Sequence, residues 1–293
     1  MGLIAIDLDG TLLNHQNEIS EENIKAIQYA QEKGIEVVIS TGRAYFDARK
    51  ICEKAGLSTF IIGTNGATVH SKEEQRIAAT RIERNHVQSI LQWLDERNYY
   101  YEVFTDTAIY TIRKAREHFY NEIQRMKRAN LDAHTQELAT VAERQFDQFG
   151  YAFAESYHDI LKQEENFYNI LACSFDKKRL EEGWAQFKEV DALTVVSSAN
   201  HNFEITSRYA SKGIALEMLA SLTNRSLDQA MAIGDSHNDL SMFEKVKYSV
   251  AMGNAKDEIK AACAMTTLKN DEHGVAHAIY QYVDRLIIQK QYK

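Results

Sequence analysis

Short runs with almost no polar residue, each the length of a strand and each followed by a helix-like stretch, recur at both ends of this 293-residue chain. Leu3-Ile4-Ala5-Ile6 is the first, and an unbroken apolar run of that kind marks a strand covered on both faces. Ser20 is placed to cap a helix carrying Ile24, Ile27 and Ala30, with Gly34 just past its end. Residues 36–40 read as a second buried strand, 44–55 as a helix closed by Gly56, and 59–62 as a third strand. Asn65-Gly66 predicts a hairpin turn into 67–70, with 76–82 as a pairing partner. The rhythm returns later, with strands over 203–206, 230–233, 249–252 and 265–268 and helices over 211–222, 236–245, 255–262 and 274–283. Such alternation predicts an α/β fold, a doubly wound and mostly parallel sheet with helices on both faces.

The middle of the chain breaks that rhythm. A helix over 87–97, a Tyr-rich hairpin over 99–112 and a long charged helical stretch to about 163 precede an apolar strand over 167–175 and a helix over 177–189. Strands and helices grouped in this way predict an inserted α+β layer. The expected division is 1–83 (core, first part), 84–190 (insert) and 191–293 (core, second part). Tyr99-Tyr100-Tyr101 is expected on an edge strand of the insert, because no basic groove accompanies it to make a stacking platform.

Composition narrows the function. A chain that is 44% hydrophobic and 26% charged is globular. A net charge of −8 and a pI of 5.7 argue against binding nucleic acid or an anionic membrane surface. They leave room for an anionic substrate where a metal ion or a few cationic side chains reverse the field inside one cleft. No run is long enough to span a bilayer and the start lacks the pattern of a signal peptide, so a cytoplasmic protein is expected. Cys52, Cys173 and Cys263 are odd in number and far apart, as core residues in a reducing compartment would be. Proline is absent, so turns must rest on Gly, Asn, Asp and Ser.

Chemistry gathers where strands end. In Asp7-Leu8-Asp9-Gly10-Thr11 two carboxylates project to one side of an extended chain, at the strand end where open parallel sheets bind ligands. Carboxylates so close repel unless a cation lies between them, and magnesium accepts one or two carboxylates together with phosphate and water. Alone, the pair is also what an acidic turn would look like. A second cluster, Gly234-Asp235-Ser236-His237-Asn238-Asp239, follows the strand at 230–233, and a helical turn would put Asp235 and Asp239 on one face. Ser40-Thr41-Gly42-Arg43 offers a hydroxyl and backbone N–H groups to a phosphate. Ser211-Lys212-Gly213 places a lysine at a helix start, where the dipole disfavours a cation and a bound anion would explain it. The ten histidines form no metal-binding spacing, and no dinucleotide fingerprint, P-loop or serine elbow is present.

Taken together, Asp7-x-Asp9-Gly10-Thr11-Leu12-Leu13, Ser40-Thr41-Gly42-Arg43, Ser211-Lys212-Gly213 and Gly234-Asp235-Ser236-x-Asn238-Asp239 resemble the four ordered motifs of the haloacid dehalogenase superfamily. Thr64-Asn65-Gly66-Ala67, Ala251-Met252-Gly253-Asn254-Ala255 and Asn270-Asp271-Glu272-His273-Gly274-Val275-Ala276 resemble its Cof-type branch. That branch inserts an α+β cap between the second and third motifs, where the insert falls here. The resemblance implies a phosphomonoester hydrolase that uses Mg²⁺ on a small phosphorylated metabolite, a sugar phosphate or a phosphorylated cofactor.

It also implies roles. Asp7 would attack phosphorus and form an aspartyl-phosphate, while Asp9 would protonate the leaving alcohol and then deprotonate water. Mg²⁺ would be held by Asp7, the backbone carbonyl of Asp9 and Asp235, with Asp239 close behind. Thr41, the amides around Leu8 and Gly42, Lys212 and Asn238 would hold the phosphoryl oxygens, with Arg43 and Asn65 completing the substrate-binding set. Thr41 and Lys212 join Asp7 and Asp9 as catalytic. Specificity is expected from the cap, closing over the site. The chain departs from the family pattern at Ser207-Arg208-Tyr209, where Pro-x-Gly is usual and a Tyr would strain any positive φ.

Two other readings fit the residues less well. A phosphomutase of this superfamily usually carries an all-helical cap after the first motif, and the stretch between Asp7 and Ser40 is too short for one. A phosphorylated signalling receiver also combines an acceptor Asp with Thr and Lys, but on a shorter chain and on a middle strand. Substrate identity and oligomeric state carry no sequence signature.

Overall fold

The computed structural model describes residues 2–128 and 149–291. In chain order its strands are β1 (Leu3–Ile6), β2 (Glu36–Ser40), β3 (Phe60–Gly63), β4 (Thr68–His70), β5 (Arg76–Ala79), β6 (Tyr100–Thr105) and β7 (Ile109–Ile112). They continue as β8 (Tyr151–Ala154), β9 (Phe167–Cys173), β10 (Leu193–Val196), β11 (Asn202–Ser207), β12 (Ala230–Gly234), β13 (Tyr248–Ala251) and β14 (Met265–Thr266). The chain divides into two compact units, Met1–Ala79 with Tyr209–Lys293, and Thr80–Arg208. Among the described residues no helix is long and apolar enough to cross a membrane.

The first unit holds an eight-stranded sheet in the order β14-β13-β12-β1-β2-β3-β4-β5. Its centre is parallel, β1 pairing with both β2 and β12, and β4 and β5 turn back antiparallel. The reason β1 is apolar throughout is its double coverage. Ile4 and Ile6 face one cluster with Ile27 and Ala30 of helix Glu21–Glu32 and Val275 and Ile279 of helix Gly274–Gln291. Leu3 and Ala5, of opposite parity, face a second cluster with Leu216 and Leu219 of helix Lys212–Leu222. Each fully buried Leu or Ile there contributes about 1.5–3 kcal/mol over an exposed one.

From β1 the chain steps outward to β2 and β3 on one side, and β12 occupies the other. The order of the sheet therefore reverses at β1/β12, which opens a crevice beyond the carboxyl ends of these two strands.

At the far side of this sheet His70 ends β4, its ring stacked on Tyr45 with centroids 3.6 Å apart. It is buried and its Nδ1 has no hydrogen-bond partner. Burial, helped by Arg76, lowers its pKa from 6.5 to about 4. The unfolded chain takes up that proton near the ordinary value and the folded one does not, so stability is full above about 6.5 and falls as the pH drops toward about 4. Substituting His70→Phe keeps an aromatic ring on Tyr45 and should remove this component. Urea midpoints of the two proteins should track each other at neutral pH and separate below it, the parent falling faster; parallel curves throughout would contradict the assignment.

The second unit holds a six-stranded sheet, β10-β11-β9-β6-β7-β8, antiparallel except for β7 with β8. Two expectations change here. Residues 191–208, read from sequence as core, form β10 and β11, and β11 pairs with β9 of the second unit instead. The tyrosine run does not sit on an edge: β6 lies inside the sheet between β9 and β7, and Tyr99, Tyr100 and Tyr101 are buried. Helices Arg84–Glu96 and Lys177–Phe187 pack through ring contacts of Trp93 with Tyr99 and Phe187 and of Tyr99 with Phe203. The long charged stretch is helix over Arg113–Arg128. Its continuation over 129–148 lies outside the described residues, and beyond it come β8 and helix Tyr157–Leu161. Cys52, Cys173 and Cys263 are free.

Candidate active site

The crevice at β1/β12 is where the acidic residues meet. Asp7 prolongs β1, its N–H donating to the Ile233 carbonyl of β12 (3.0 Å). The chain then makes one wide turn, closed by Leu12 N–H to Asp7 O (3.2 Å) and Leu13 N–H to Leu8 O (2.9 Å). Leu8 buries its side chain in the core, so only its backbone is available to the crevice. Gly10 has φ +75°, and a Cβ there would lie 2.5 Å from an Asp235 carboxylate oxygen. No side chain fits both conditions, which is why the turn beside Asp9 is built on Gly.

Lys212, like Asp239, is a fully enclosed charge of the site. Its side chain has 0% exposure, and Nζ donates to Asp7 Oδ1 and Asp239 Oδ1, both at 2.7 Å. Ser211 caps the helix by accepting the Ile214 N–H (3.1 Å). The cation at a helix start thus has its anions within the protein, two carboxylates. The Tyr209 departure costs no strain, since Tyr209 is not among the residues with positive φ.

Asp239 turns its other oxygen, Oδ2, back to accept the N–H groups of Asp235 (2.9 Å) and Ser236 (3.0 Å). Gly234 makes room, since a Cβ there would lie 2.4 Å from the Asp239 carboxyl. Thr11 Oγ1 donates to Asp235 Oδ1 (3.0 Å). One carboxylate oxygen each from Asp7, Asp235 and Asp239 falls within 4.8 Å of the others. Burial, with Asp239 and Asp235 beside it, pushes the Asp7 carboxyl well above the usual range against the pull of Lys212. Burial and Asp239 likewise push Asp235 up to about 7. Three carboxylates face one ammonium, so a cation among them would relieve both shifts. Their hard oxygen donors suit a small divalent ion. The residues present fit a metal.

Asp9 is not part of that group. Its carboxylate, 52% exposed, accepts two hydrogen bonds from Arg43, from Nε and Nη2, both 2.7 Å. Arg43 Nη1 reaches Asp47 Oδ2 at 2.7 Å. Partial burial works the other way, but the guanidinium wins and holds the Asp9 carboxyl below its ordinary value. Arg43, expected from sequence at the phosphate, has Asp9 and Asp47 as its immediate partners.

A second, neutral group joins the loops after β2 and β3 to Asn238. Thr41 donates its N–H to Ile62 O (2.8 Å), accepts from Asn65 N–H (3.0 Å), and takes the Arg43 N–H on its hydroxyl (3.1 Å). Gly42 sits against Asn65, whose Oδ1 accepts from Asn238 Nδ2 (3.0 Å). Asn238 Oδ1 is buried with no partner, an orphaned acceptor at the crevice. Gly66, at φ +92°, lets the hairpin touch the loop before Lys212, for a Cβ there would be 2.1 Å from Ser211 O.

The structure therefore brings Asp7, Lys212, Asp235 and Asp239 into direct contact or near it, joins Thr41, Asn65 and Asn238 into a second group, and pairs Asp9 with Arg43. Two participants had no role from sequence: Thr11, which orients Asp235, and Asp47, which orients Arg43. Thr11 lies inside the first motif, and Asp47 follows Arg43 at the helical spacing of four, so each left a trace.

A profile of haloacid dehalogenase-like hydrolases matches residues 4–279. Phosphatase YwpJ of Bacillus subtilis strain 168 is 48% identical over 279 residues, 94% of this chain and 98% of that protein. The 5-amino-6-(5-phospho-D-ribitylamino)uracil phosphatase YwtE of the same organism is 38% identical over 281 residues, 96% of this chain and 98% of that one. A solved haloacid dehalogenase-like hydrolase from B. subtilis matches with a TM-score of 0.86 at 48% identity, covering 96% of this chain and 99% of the other. Hydrolases of this kind use a metal ion, and Asp7, Asp235 and Asp239 form a group that could bind one. The chain belongs to the haloacid dehalogenase-like hydrolases, as a phosphatase of their Cof-type branch.

Proposed function

We propose that this phosphatase hydrolyses the phosphate monoester of a small metabolite through an aspartyl-phosphate on Asp7, with Mg²⁺ as its metal. The observation that carries this reading is the buried Asp7 carboxylate, 2.7 Å from Lys212 and grouped with Asp235 and Asp239 where the sheet order reverses. Asp7, the Asp9 backbone carbonyl, Asp235 and Asp239 would hold or flank the Mg²⁺, which when bound supplies positive charge to the transferring phosphoryl group.

In the first step an Asp7 oxygen attacks phosphorus, the P–O bond to the alcohol breaks, and Asp9 gives the departing alkoxide its proton. In the second, Asp9 takes a proton from water, whose oxygen attacks the same phosphorus and frees phosphate and Asp7. Lys212 holds Asp7 in place and, with Thr41, Asn238 and the amides around Leu8 and Gly42, stabilises the phosphoryl oxygens. Arg43 orients Asp9 and keeps it ionised before substrate arrives; the negative charge of the incoming phosphate then raises its affinity for a proton, which Asp9 takes up from solvent on substrate binding and gives to the alkoxide.

The substrate class we favour is a sugar phosphate or a phosphorylated cofactor, supported by the phosphoribitylamino-uracil for which one relative is named. A panel of phosphorylated metabolites ranked by kcat/KM tests it. Chelation should lower phosphate release by about 10²-fold or more, with recovery on adding Mg²⁺. Hydrolysis that survives chelation unchanged would overturn the metal assignment.

A further inference from the structure

The turn that carries Asp9 is held from one side by three side chains of the loops that follow β13 and β14. Asn254 Nδ2 donates to the Gly10 carbonyl (2.8 Å) and its Oδ1 accepts the Asn270 N–H (3.0 Å). Asn270 Nδ2 in turn donates to the Leu13 carbonyl (2.9 Å). Asp271 Oδ1 accepts the His15 N–H (2.8 Å) and lies 2.9 Å from His15 Nδ1. Residues 10, 13 and 15 are thus anchored in succession, and the two asparagines are tied to each other.

The turn needs such anchors. Asp9 and Gly10 depart from helical geometry (φ −75°, ψ 124° and φ +75°, ψ −1°), and Gly10 has the widest conformational freedom of any residue. The Gly10 carbonyl belongs to the peptide plane after the residue that follows Asp9. Freed from Asn254, that plane can rotate and carry the Asp9 carboxylate with it, and a shift of about 1 Å at a reacting group can cost about 10² in rate.

We infer that Asn254 and Asn270 are positioning residues for proton transfer, setting where the Asp9 carboxyl stands relative to the leaving oxygen. This rests on the reading of Asp9 as acid and base.

The test compares first-turnover rates of alcohol release, with Mg²⁺ present, from an alkyl phosphate and from 4-nitrophenyl phosphate. The alkoxide needs a proton to leave; nitrophenolate does not. Asn254→Ala should slow the alkyl ester by about tenfold or more and the aryl ester by less than about threefold, with KM for both nearly unchanged. Asn270→Ala should show the same split, smaller. If Asn254→Ala fails to fold, Asn254→Asp serves, since it keeps the acceptor for Asn270 and loses the donor to Gly10. Equal losses on the two esters, or no loss, would overturn the inference. Asp9→Asn is the control: if it too loses equally on both esters, the role given to Asp9 fails, and if it splits them while the asparagine variants do not, only the positioning role fails.

Discussion

Replacing Asp7 by Asn should lower kcat by roughly 10⁴-fold or more, the scale of loss when a nucleophile is removed, without unfolding the protein. The amide has the shape of the carboxylate but cannot attack phosphorus. Its cost to the fold is small for a reason visible in the site. Burial and the carboxylates of Asp239 and Asp235 already disfavour charge on Asp7, and Lys212 retains Asp239 as its anion when that charge is gone. The thermal midpoint of metal-free Asp7→Asn should therefore stay close to that of the parent, or rise. Steady-state hydrolysis and a melting curve on one preparation check both halves. A variant that keeps substantial activity would remove Asp7 from the role of nucleophile.

Lys212→Met should damage both stability and rate. Lys212 is fully enclosed and donates to two buried carboxylates at 2.7 Å each. Methionine fills nearly the same volume, so the loss is electrostatic: Asp7 and Asp239 would face each other without a cation between them. Removing one partner of a buried ionic group costs about 3–5 kcal/mol. Denaturant unfolding without metal should report a loss of that order, and kcat with Mg²⁺ should fall by roughly 10²–10³-fold, as when one oxyanion donor is lost. A second substitution, Asp239→Asn, should recover part of the stability and none of the activity. Unchanged stability in Lys212→Met would mean that the two carboxylates do not depend on this lysine.

Much of the core was legible because its cause is local. Leu3-Ile4-Ala5-Ile6 can be apolar at every position only if both faces are covered, and the packing of Ile4 with Ile27 and of Leu3 with Leu216 is that coverage. Asp7 and Asp235 follow two such runs, so their meeting at neighbouring strand ends was foreseeable from the order of elements. The lysine was singled out through its unfavourable place at a helix start, although its anions proved to be the protein's own carboxylates.

What was less legible depends on partners distant in sequence. Residues 203–206 make as good a strand in either unit; the choice of β9 as neighbour is set by pairing across the sheet, which no local pattern records. The tyrosine run has the composition of an edge strand, but its side chains are buried in an interior where Tyr99 meets Trp93 of helix Arg84–Glu96 and Phe203 of β11, the latter a partner distant in sequence. Arg43 shows the same limit within the site. Its position in the Thr41-Gly42-Arg43 turn suggested a phosphate, whereas the carboxylates it reaches come from the first turn and from the helix Tyr45–Lys54 that follows it.

The most direct test of the account is to trap the phosphoryl group on Asp7. Enzyme mixed with substrate and Mg²⁺, quenched in acid within one turnover and treated with borohydride, would have any acyl phosphate reduced to an alcohol. Mass spectrometry of the peptide containing residues 7–13 should then find homoserine in place of Asp7, dependent on substrate and absent from Asp7→Asn. Hydrolysis proceeding with Asp7 never modified, or the phosphoryl group trapped on another side chain, would contradict it.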